Sequence, residues 1–550
     1  MHISSQMNVP IRESGAIEPV EVKQLRTTKW IYDFGVNMAG NVKFTAKGGC
    51  GTTVTLRYAE RLNVEGRTDQ TNIYCYYFGD NAAEPFQTDL VILSGGDDAF
   101  CPRYSYKGFR YVEVTASAPV DIKLWAVKVG SAVPVAGTIE TSDKTISAIW
   151  KAAGNSYLSN LAGYPTDCPQ REKNGWTGDG HIAIETGLFN YDAYTVYEKW
   201  MADHRDEQQP NGVLPDIIPT CGWGYWSPDA DGNGLDWTST IAIIPWELYL
   251  FSGDPQPLKD CYRNIKRYVD YALSLSKDAL VCWGRGDWVP VTKKTDKTLI
   301  CSCFLYKDLT ILSRAAVMFG YDDDFKRYSA AADKVRNAIN GKYLDKESGI
   351  YADGMQTAQS LPLYFGVAPQ ENVKAVAAAL AERVRKDGYR INAGVHGAKA
   401  VLHALSENGY GDVAYRIASA NEYPSWGHWV TNGRTALVEN WSLDAGKDNS
   451  DNHIMFGDIS AWFYRSLGGI NPDPECPGFR HVIIRPDFPK GLDDFKCTYE
   501  SPYGPVSTSW ERKGKKIILK IIVPPCCTAT LVKPDTTTET IGPGATTLTF

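Results

Sequence analysis

Apolar and polar residues alternate along the first quarter of the chain. The alternation covers Trp30–Phe34, Val42–Ala46, Val54–Tyr58 and Arg110–Thr115, with glycine-rich turns between these runs. A period of two residues is typical of strands that bury one face. The pattern therefore predicts strands from about residue 20 onwards, in an N-terminal β-sandwich domain of residues 1–137.

The period changes to that of a helix near Thr141. Ser142 or Asp143 is expected to cap a first helix that continues through Tyr157. The pattern predicts an all-helical domain of residues 138–470. Its other helix-like stretches are Ile182–Asp203, Trp237–Phe251, Pro257–Leu275, Phe304–Phe319, Asp324–Ile339, Val373–Lys386, Gly397–Ser406, Gly411–Ala420 and His453–Leu467.

Strand-like alternation returns after Gly469. It covers His481–Pro486, Lys516–Val523 and Thr528–Val532, and a polar tail rich in threonine follows. These runs predict a small C-terminal β-sandwich domain of residues 471–550. The expected fold is thus multidomain, with a central all-helical domain between two β-sandwiches.

Composition excludes several classes of partner. The 550 residues are 43% hydrophobic and 22% charged, with a net charge of -7, and no basic run suggests nucleic acid. No apolar run reaches the length of about 18 residues that a membrane helix needs. The segment Met1–Gln6 does not resemble a signal peptide, and we expect a soluble protein of the cytoplasm or periplasm.

The cysteines and histidines do not predict a metal site. The 13 cysteines are odd in number and irregularly spaced, which favours mostly free, buried thiols over a disulfide framework. The 8 histidines include no pair four residues apart, and the chain has no phosphate loop and no nucleophile elbow. We therefore expect no metal and no cofactor.

The run Asp167–Asp179, with the sequence DCPQREKNGWTGD, combines three carboxylates, two cations and a tryptophan. Pro169, Gly175 and Gly178 favour a loop, and loops on a rigid scaffold often carry catalytic groups. Apolar residues at helical spacing follow, so Asp179 is expected at or near a helix start. By residue types alone, a helix-capping loop with surface ion pairs is an equally good interpretation.

The order of residues in this run resembles the signature loop of the bacterial α-L-rhamnosidases, family seventy-eight of the glycoside hydrolases. The segments Asp33–Gly40 and Tyr106–Val114 also resemble the β domain that precedes the catalytic domain in that family. Glu172 corresponds by this resemblance to the general acid. The residues implied to hold the sugar are Asp167, Arg171, Trp176 and Asp179.

A second carboxylate is needed because glycoside hydrolysis uses a pair of acidic residues. Glu439, in the segment Leu437–Trp441, resembles the general base of the same family, and Pro424–Gly427 and Asn452–Gly457 frame it as the family does. A surface glutamate at a helix cap is the alternative interpretation. The resemblance further implies that Trp237 and Trp288 pack on the sugar, that Asp287 binds a hydroxyl and that His453 contacts rhamnose, although a lone histidine is more often a buried core residue.

The resemblance implies a fold and a reaction. The helical domain would be a toroid of six helix pairs, and the family's larger members carry further N-terminal β-domains, which this chain is expected to lack. The enzyme would remove terminal α-L-rhamnose from rhamnose-containing glycosides or oligosaccharides with inversion of configuration. A toroid glycosidase for another deoxysugar and a catalytically silent rhamnose-binding protein remain as alternatives.

Overall fold

The computed structural model describes residues 5–73, 86–228, 232–445 and 449–550, which pack into two compact units. The first unit consists of Met1–Ala132, Lys151–Asn174 and Trp429–Ile454. The second consists of Val133–Trp150, Gly175–His428 and Met455–Phe550. Two segments of the region predicted to be helical therefore pack with the N-terminal strands. The domain boundaries at residues 137 and 470 stay a prediction.

The first unit contains an eight-stranded sheet with the order β1-β10-β3-β9-β4-β7, in which β2 and β8 also pair with β3. Phe44, Leu56 and Val112 belong to its apolar core, and alternate residues along the strands face this core. The described strands of the unit are β1 Ile11–Ile17, β2 Glu21–Arg26, β3 Lys29–Gly48, β4 Thr53–Ala59, β5 Arg61–Leu62, β6 Thr68–Asp69, β7 Thr88–Ile92, β8 Asp97–Phe100, β9 Lys107–Ala116 and β10 Val120–Ser131.

The prediction of strands differs from the structure in two places. The predicted strands Trp30–Phe34 and Val42–Ala46 form one long strand, β3, whose pairing with β9 shifts register between Asp33 and Met38. Strand β1 lies before the predicted start of the sheet, and its residues are mostly exposed. An edge strand with little burial lacks the alternation from which the other strands were predicted.

Helices dominate the middle of the chain, as predicted. The bounds are α1 Lys144–Ser159, α2 Thr177–Ile182, α3 Ile184–Asn190, α4 Tyr194–Glu207, α5 Leu235–Thr238, α6 Thr240–Ser252, α7 Gln256–Leu275, α8 Lys297–Phe319, α9 Asp322–Tyr343, α10 Gln356–Tyr364, α11 Val373–Lys386, α12 Val395–Glu407, α13 Gly411–Ala418, α14 Trp426–Thr431 and α15 Ile459–Trp462, followed by a π-helix at Phe463–Leu467. The hairpin of β12 Leu344–Asp345 and β13 Ile350–Tyr351 interrupts them.

Capping fixes two of the helix starts. The Asp143 carboxylate accepts the backbone N–H groups of Thr145 (2.8 Å) and Ile146 (3.1 Å), so Asp143 is the cap of α1. Asp296 accepts the N–H of Thr298 (2.8 Å) and caps α8, which begins earlier than predicted. The bounds of α11 agree with the predicted helix.

Three predicted helices are wrong as single elements. The stretch Ile182–Asp203 is divided into the end of α2, α3 and α4, because the chain leaves helical geometry at Ala183 and again at the extended Tyr191. Every residue of α2 and α3 is buried, so the spacing of apolar residues there does not show where one helix ends and the next begins. Trp237–Phe251 is likewise divided into α5 and α6, and His453–Asp458 is buried but not helical. Helices α10 and α14 were not predicted.

Two sheets of the second unit hold most of the C-terminal strands. One has the order β11-β16-β17-β18-β21 and the other the order β14-β15-β19-β20, in which β15 and β19 are parallel. The bounds are β11 Gly137–Glu140, β14 Ile470–Pro472, β15 His481–Ile484, β16 Asp494–Ser501, β17 Gly504–Lys513, β18 Lys516–Val523, β19 Thr528–Val532, β20 Thr538–Ile541 and β21 Gly544–Thr549. The N-terminal and C-terminal β domains and the central helical region are thus confirmed.

The thiols within the described ranges are free. Six of them are buried, and burial raises the pKa of the Cys261 thiol to about 11. The buried ones are Cys168, Cys261, Cys301, Cys303, Cys497 and Cys527. Among the residues that the structure describes, no helix is both long and apolar enough to cross a membrane.

Candidate functional site

The motif loop belongs to the first unit as far as Asn174, and it closes on itself. The Asp167 N–H donates to the Asn174 carbonyl (3.1 Å), and the Asn174 N–H donates to Oδ1 of Asp167 (2.9 Å). Lys173 has a φ of 55° and donates its N–H to the carbonyl of Cys168 (3.1 Å). These bonds make the segment the loop that its proline predicted, and they fix the direction of the side chains between its ends.

Arg171 joins the two candidate catalytic glutamates. Its Nη2 donates to Oε1 of Glu172 (3.0 Å) and to Oε1 and Oε2 of Glu439 (3.1 and 3.2 Å). The side chains of Arg171, Glu172 and Glu439 are only 2%, 7% and 14% exposed. Charge-assisted bonds of this kind are strong where water is excluded. Two carboxylates from distant parts of the chain therefore meet at one guanidinium.

The backbone also orients Glu439. Its N–H donates to the Ser450 carbonyl (2.9 Å), and the Ser450 N–H donates to Oε2 of Glu439 (2.7 Å). The carboxylate thus accepts from a cation on both oxygens and from the main chain on Oε2. Both donors stabilise negative charge, which suits a group that acts in its ionised form.

Asp167 and His453 lie beside this pair within the same unit. The His453 Nε2 is 4.0 Å from Oδ2 of Asp167, and the His453 N–H donates to the Leu437 carbonyl (2.8 Å). Burial lowers the pKa of His453 to about 3, and the Arg171 charge acts in the same direction. The imidazole is therefore neutral near pH 7, so its contact with Asp167 is not a charged pair.

Three of the predicted aromatic side chains belong to the second unit, and one arginine connects two of them. The Arg285 guanidinium carbon lies 4.9 Å from the Trp176 ring centre and 5.8 Å from that of Trp237. Trp237 meets Trp288 edge to face at 6.5 Å. A Cβ on Gly178 would stand 2.5 Å from the Trp237 ring, so only glycine permits this packing. Trp288 is 39% exposed, whereas Trp237 is buried.

Arg285 itself was not predicted as a site residue. Its Nη2 donates to Oδ2 of the buried Asp216 (2.5 Å), and its N–H donates to Oδ1 of Asp236 (3.0 Å). Burial raises the pKa of Asp236 to about 7, although two backbone donors oppose the rise. Arg285 lies two residues before Asp287 and Asp236 directly precedes Trp237, but no local pattern distinguishes Arg285 and Asp236 from surface charges.

The structure gives Asp287 a role at a helix start. Its carboxylate accepts the backbone N–H groups of Gly394 (2.7 Å), His396 (3.0 Å) and Gly397 (3.3 Å), which begin α12. Both of its oxygens are thereby bonded to the protein, and its contact with a sugar hydroxyl stays a prediction. Asp179 is buried in the first turn of α2, at the helix start that the sequence indicated.

The site residues therefore form two groups, each within one unit. Asp167, Arg171, Glu172, Glu439 and His453 come together in the first unit. The other group lies in the second unit, where Trp237 is in contact with Trp288 and shares Arg285 with Trp176. Its members are Trp176, Asp179, Trp237, Asp287 and Trp288.

Three family models match successive parts of the chain. The bacterial alpha-L-rhamnosidase concanavalin-like domain matches residues 23–129. The bacterial alpha-L-rhamnosidase 6 hairpin glycosidase domain matches residues 134–467, and the C-terminal domain of the same family matches residues 469–547. Together these matches extend over nearly the full sequence.

Curated relatives carry the same family name. An alpha-L-rhamnosidase of Streptomyces avermitilis is 30% identical over 541 residues, which are 96% of this chain and 50% of the relative. An alpha-L-rhamnosidase of an Alteromonas species is 27% identical over 554 residues, covering 96% of this chain and 58% of the relative. The chain thus spans about half the length of the curated relatives it matches.

Solved structures agree with these relatives. The crystal structure of the Streptomyces avermitilis alpha-L-rhamnosidase complexed with L-rhamnose has a TM-score of 0.91 at 28% identity, covering 100% of this chain and 54% of that one. An alpha-L-rhamnosidase from Dictyoglumus thermophilum has a TM-score of 0.90 at 29% identity, covering 99% and 64%. The match to the glycosidase domain alone exceeds half of the sequence, and this chain belongs to the bacterial alpha-L-rhamnosidase family.

Proposed function

We propose that the protein is an inverting glycoside hydrolase that removes terminal, non-reducing α-L-rhamnose from rhamnose-containing glycosides or oligosaccharides. The observation that carries this proposal is the meeting of Glu172 and Glu439 at the Arg171 guanidinium. Glycoside hydrolysis requires two carboxyl groups on either side of one bond. Membership of the rhamnosidase family supplies the sugar, since a pair of carboxylates alone does not select one.

In the proposed reaction, Glu172 acts as the general acid and Glu439 as the general base. The acid gives its proton to the glycosidic oxygen while the bond from that oxygen to the anomeric carbon breaks. The base takes a proton from a water molecule, whose oxygen forms the new bond on the opposite face of the sugar. The product is rhamnose of inverted anomeric configuration, and the aglycone leaves as an alcohol.

The bonded oxygens of the two carboxylates stand close together in the structure. Oxygens held at 3.0 and 3.1 Å from one nitrogen are at most about 6 Å apart, which is less than the roughly 6.5–9.5 Å between the carboxyl groups of inverting glycosidases. A single displacement therefore requires the two side chains to separate when the sugar and the attacking water bind. The acid role requires Glu172 to carry a proton when the sugar is bound.

The finer features implied by the family form part of the same proposal. The helical region would be a toroid of six helix pairs, and the site residues other than the two glutamates would hold the sugar. Family membership supports these assignments, and a rhamnose complex of the Streptomyces avermitilis relative is known. The residues with this expected role are Asp167, Arg171, Trp176, Asp179, Trp237, Asp287, Trp288 and His453.

A panel of nitrophenyl glycosides tests the choice of sugar. We expect hydrolysis of the α-L-rhamnoside and no comparable rate with the α-L-fucoside, the β-D-glucoside or the β-L-rhamnoside, because family membership indicates the sugar and its linkage. The released nitrophenolate is measured by its absorbance. A faster reaction with another deoxysugar would replace rhamnose in the proposal. Binding of rhamnose in calorimetry without release of any nitrophenolate would instead indicate a silent binding protein.

A further inference from the structure

Both segments that carry the candidate glutamates pack with the N-terminal β domain. The first unit joins residues 1–132 to residues 151–174, which include Glu172, and to residues 429–454, which include Glu439. Nothing in the proposed chemistry uses the β domain, and its sheet carries none of the predicted site residues. Its contacts with the two segments therefore need an explanation of their own.

Glu60 is the central contact on the Glu439 side. It follows strand β4 directly and is 6% exposed. Its Oε2 accepts the Asp451 N–H (2.9 Å), and both of its oxygens lie 3.4 Å from the Ser450 hydroxyl, which can donate to them. Ser450 is the residue whose N–H donates to the Glu439 carboxylate. The buried Glu60 side chain therefore contacts Ser450, the residue that in turn donates to the candidate base.

Two asparagines of the β domain extend this contact. The Asn37 Nδ2 donates to Oε1 of Glu60 (3.1 Å) and to the Asp451 carbonyl (3.0 Å), and the Asn37 N–H donates to the Thr435 hydroxyl (2.9 Å). The Asn72 Nδ2 donates to the Asn449 carbonyl (2.9 Å). The chain is therefore bonded to the β domain on both sides of Glu439, through the Thr435 hydroxyl before it and through main-chain carbonyls after it.

The loop of Glu172 rests on the same domain. The Lys173 Nζ donates to the Tyr106 carbonyl (2.6 Å) and lies 4.3 Å from the centre of the Tyr106 ring. A Cβ on Gly108 would stand 2.6 Å from the backbone nitrogen of Gln170, so the loop and strand β9 are in direct backbone contact. The Gln170 side-chain oxygen is also 3.3 Å from the Ser450 hydroxyl.

We propose that Glu60 is a positioning residue for Glu439: it holds Ser450 and Asp451, and through them it fixes the distance between the candidate base and the Arg171–Glu172 pair. The β domain is then a structural part of the catalytic centre rather than a separate module. This inference rests on the proposed function for its effect on rate, but not for its effect on the loop. A misplacement of about 1 Å in a catalytic group lowers rates by up to about 100-fold.

The test compares Glu60→Gln with Glu113→Gln in the full chain. Glu113 is a matched control because it is also buried in the β domain, and its partners Lys29 and Arg67 belong to that domain as well. The Glu60→Gln change keeps the size of the side chain but leaves one acceptor oxygen where Asp451 and Asn37 both donate. Hydrogen exchange measured by mass spectrometry reports the protection of the Glu439 and Ser450 amides, and nitrophenyl α-L-rhamnoside reports kcat and KM.

We expect Glu60→Gln to accelerate exchange in peptides that span residues 437–452 and to lower kcat by roughly 10- to 100-fold, with a smaller change in KM. Glu113→Gln should leave both the exchange of these peptides and kcat within about twofold of wild type, even if its melting temperature falls. Ser450→Ala should reproduce the Glu60→Gln effect, and the double variant should lose little more, because the two side chains act in series.

Unchanged exchange in residues 437–452 of Glu60→Gln would overturn the inference, as would equal effects of the two glutamine variants. Normal exchange together with a lower kcat would also contradict it, because the rate would then depend on Glu60 by another route. If the wild-type protein hydrolyses no rhamnoside, the proposed function fails. The exchange experiment still decides whether Glu60 positions the loop, so the two failures are distinguishable.

Discussion

Glu172→Gln is expected to lower kcat by about 10²- to 10⁴-fold on rhamnosides whose leaving group is an alkyl alcohol or another sugar. Such leaving groups are strongly basic and cannot depart without a proton, and glutamine cannot donate one to the glycosidic oxygen. The amide keeps the size of the side chain and can still accept the bond from Arg171. The melting temperature should therefore stay close to that of wild type. Release of rhamnose from an alkyl rhamnoside gives the rate.

A nitrophenyl leaving group provides the internal control. Nitrophenolate is a weak base and departs with little help from an acid, so the same variant should lose much less of its rate on nitrophenyl α-L-rhamnoside. A general acid is the role that predicts this dependence on the leaving group. Equal losses on the two substrates would remove Glu172 from that role, and a variant that kept most of its rate on both would remove it from the reaction.

Glu439→Ala has the second largest expected effect, and it should not depend on the leaving group. Without the carboxylate, no base activates the attacking water, so kcat should fall by about 10²- to 10⁴-fold on alkyl and nitrophenyl rhamnosides alike. Sodium azide, which needs no deprotonation and fits the space left by the side chain, should restore part of the rate with nitrophenyl α-L-rhamnoside. The restored product should be a rhamnosyl azide of β configuration.

Asp444→Ala is the control for the Glu439 variant. Asp444 is an exposed acidic residue of the same loop, and its backbone N–H donates to the Ser442 hydroxyl. Its removal changes the net charge equally, and its rate should remain near that of wild type. Loss of Glu439 removes a carboxylate partner of Arg171, so the melting temperatures of both variants must be compared. A rhamnosyl azide of α configuration, or no rescue with a folded variant, would contradict the base role.

The parts of the fold that were predictable are those in which burial follows the chain locally. Helix α11 has the predicted bounds because one of its faces is buried and the other meets solvent. The stretch α2–α3 was predicted with wrong bounds because it is buried on every side, so its apolar spacing carries no information about where a helix ends. Asp143 was predictable as a cap because capping depends on neighbours within three residues.

The residues of the candidate site also fall into those that local motifs predict and those that depend on distant contacts. Glu172 and Glu439 could be selected from motifs within a few residues of each, and the structure adds that one arginine bonds both. Glu60 could not be selected, because its partner Ser450 lies 390 residues away and no local pattern marks the contact. Asp287 shows the reverse: its motif suggests a sugar contact, whereas its bonds to the start of α12 depend on residues more than 100 positions later.

The anomer that is released first tests the central claim most directly, since it reports whether a water molecule attacks opposite the leaving group. Proton NMR should be recorded within the first minutes of hydrolysis of an α-L-rhamnoside, before mutarotation mixes the anomers. If Glu172 and Glu439 act as acid and base in a single displacement, the β anomer of L-rhamnose appears first and the α anomer follows slowly. Initial release of the α anomer would contradict the account, because it requires either a covalent intermediate or attack from the same face.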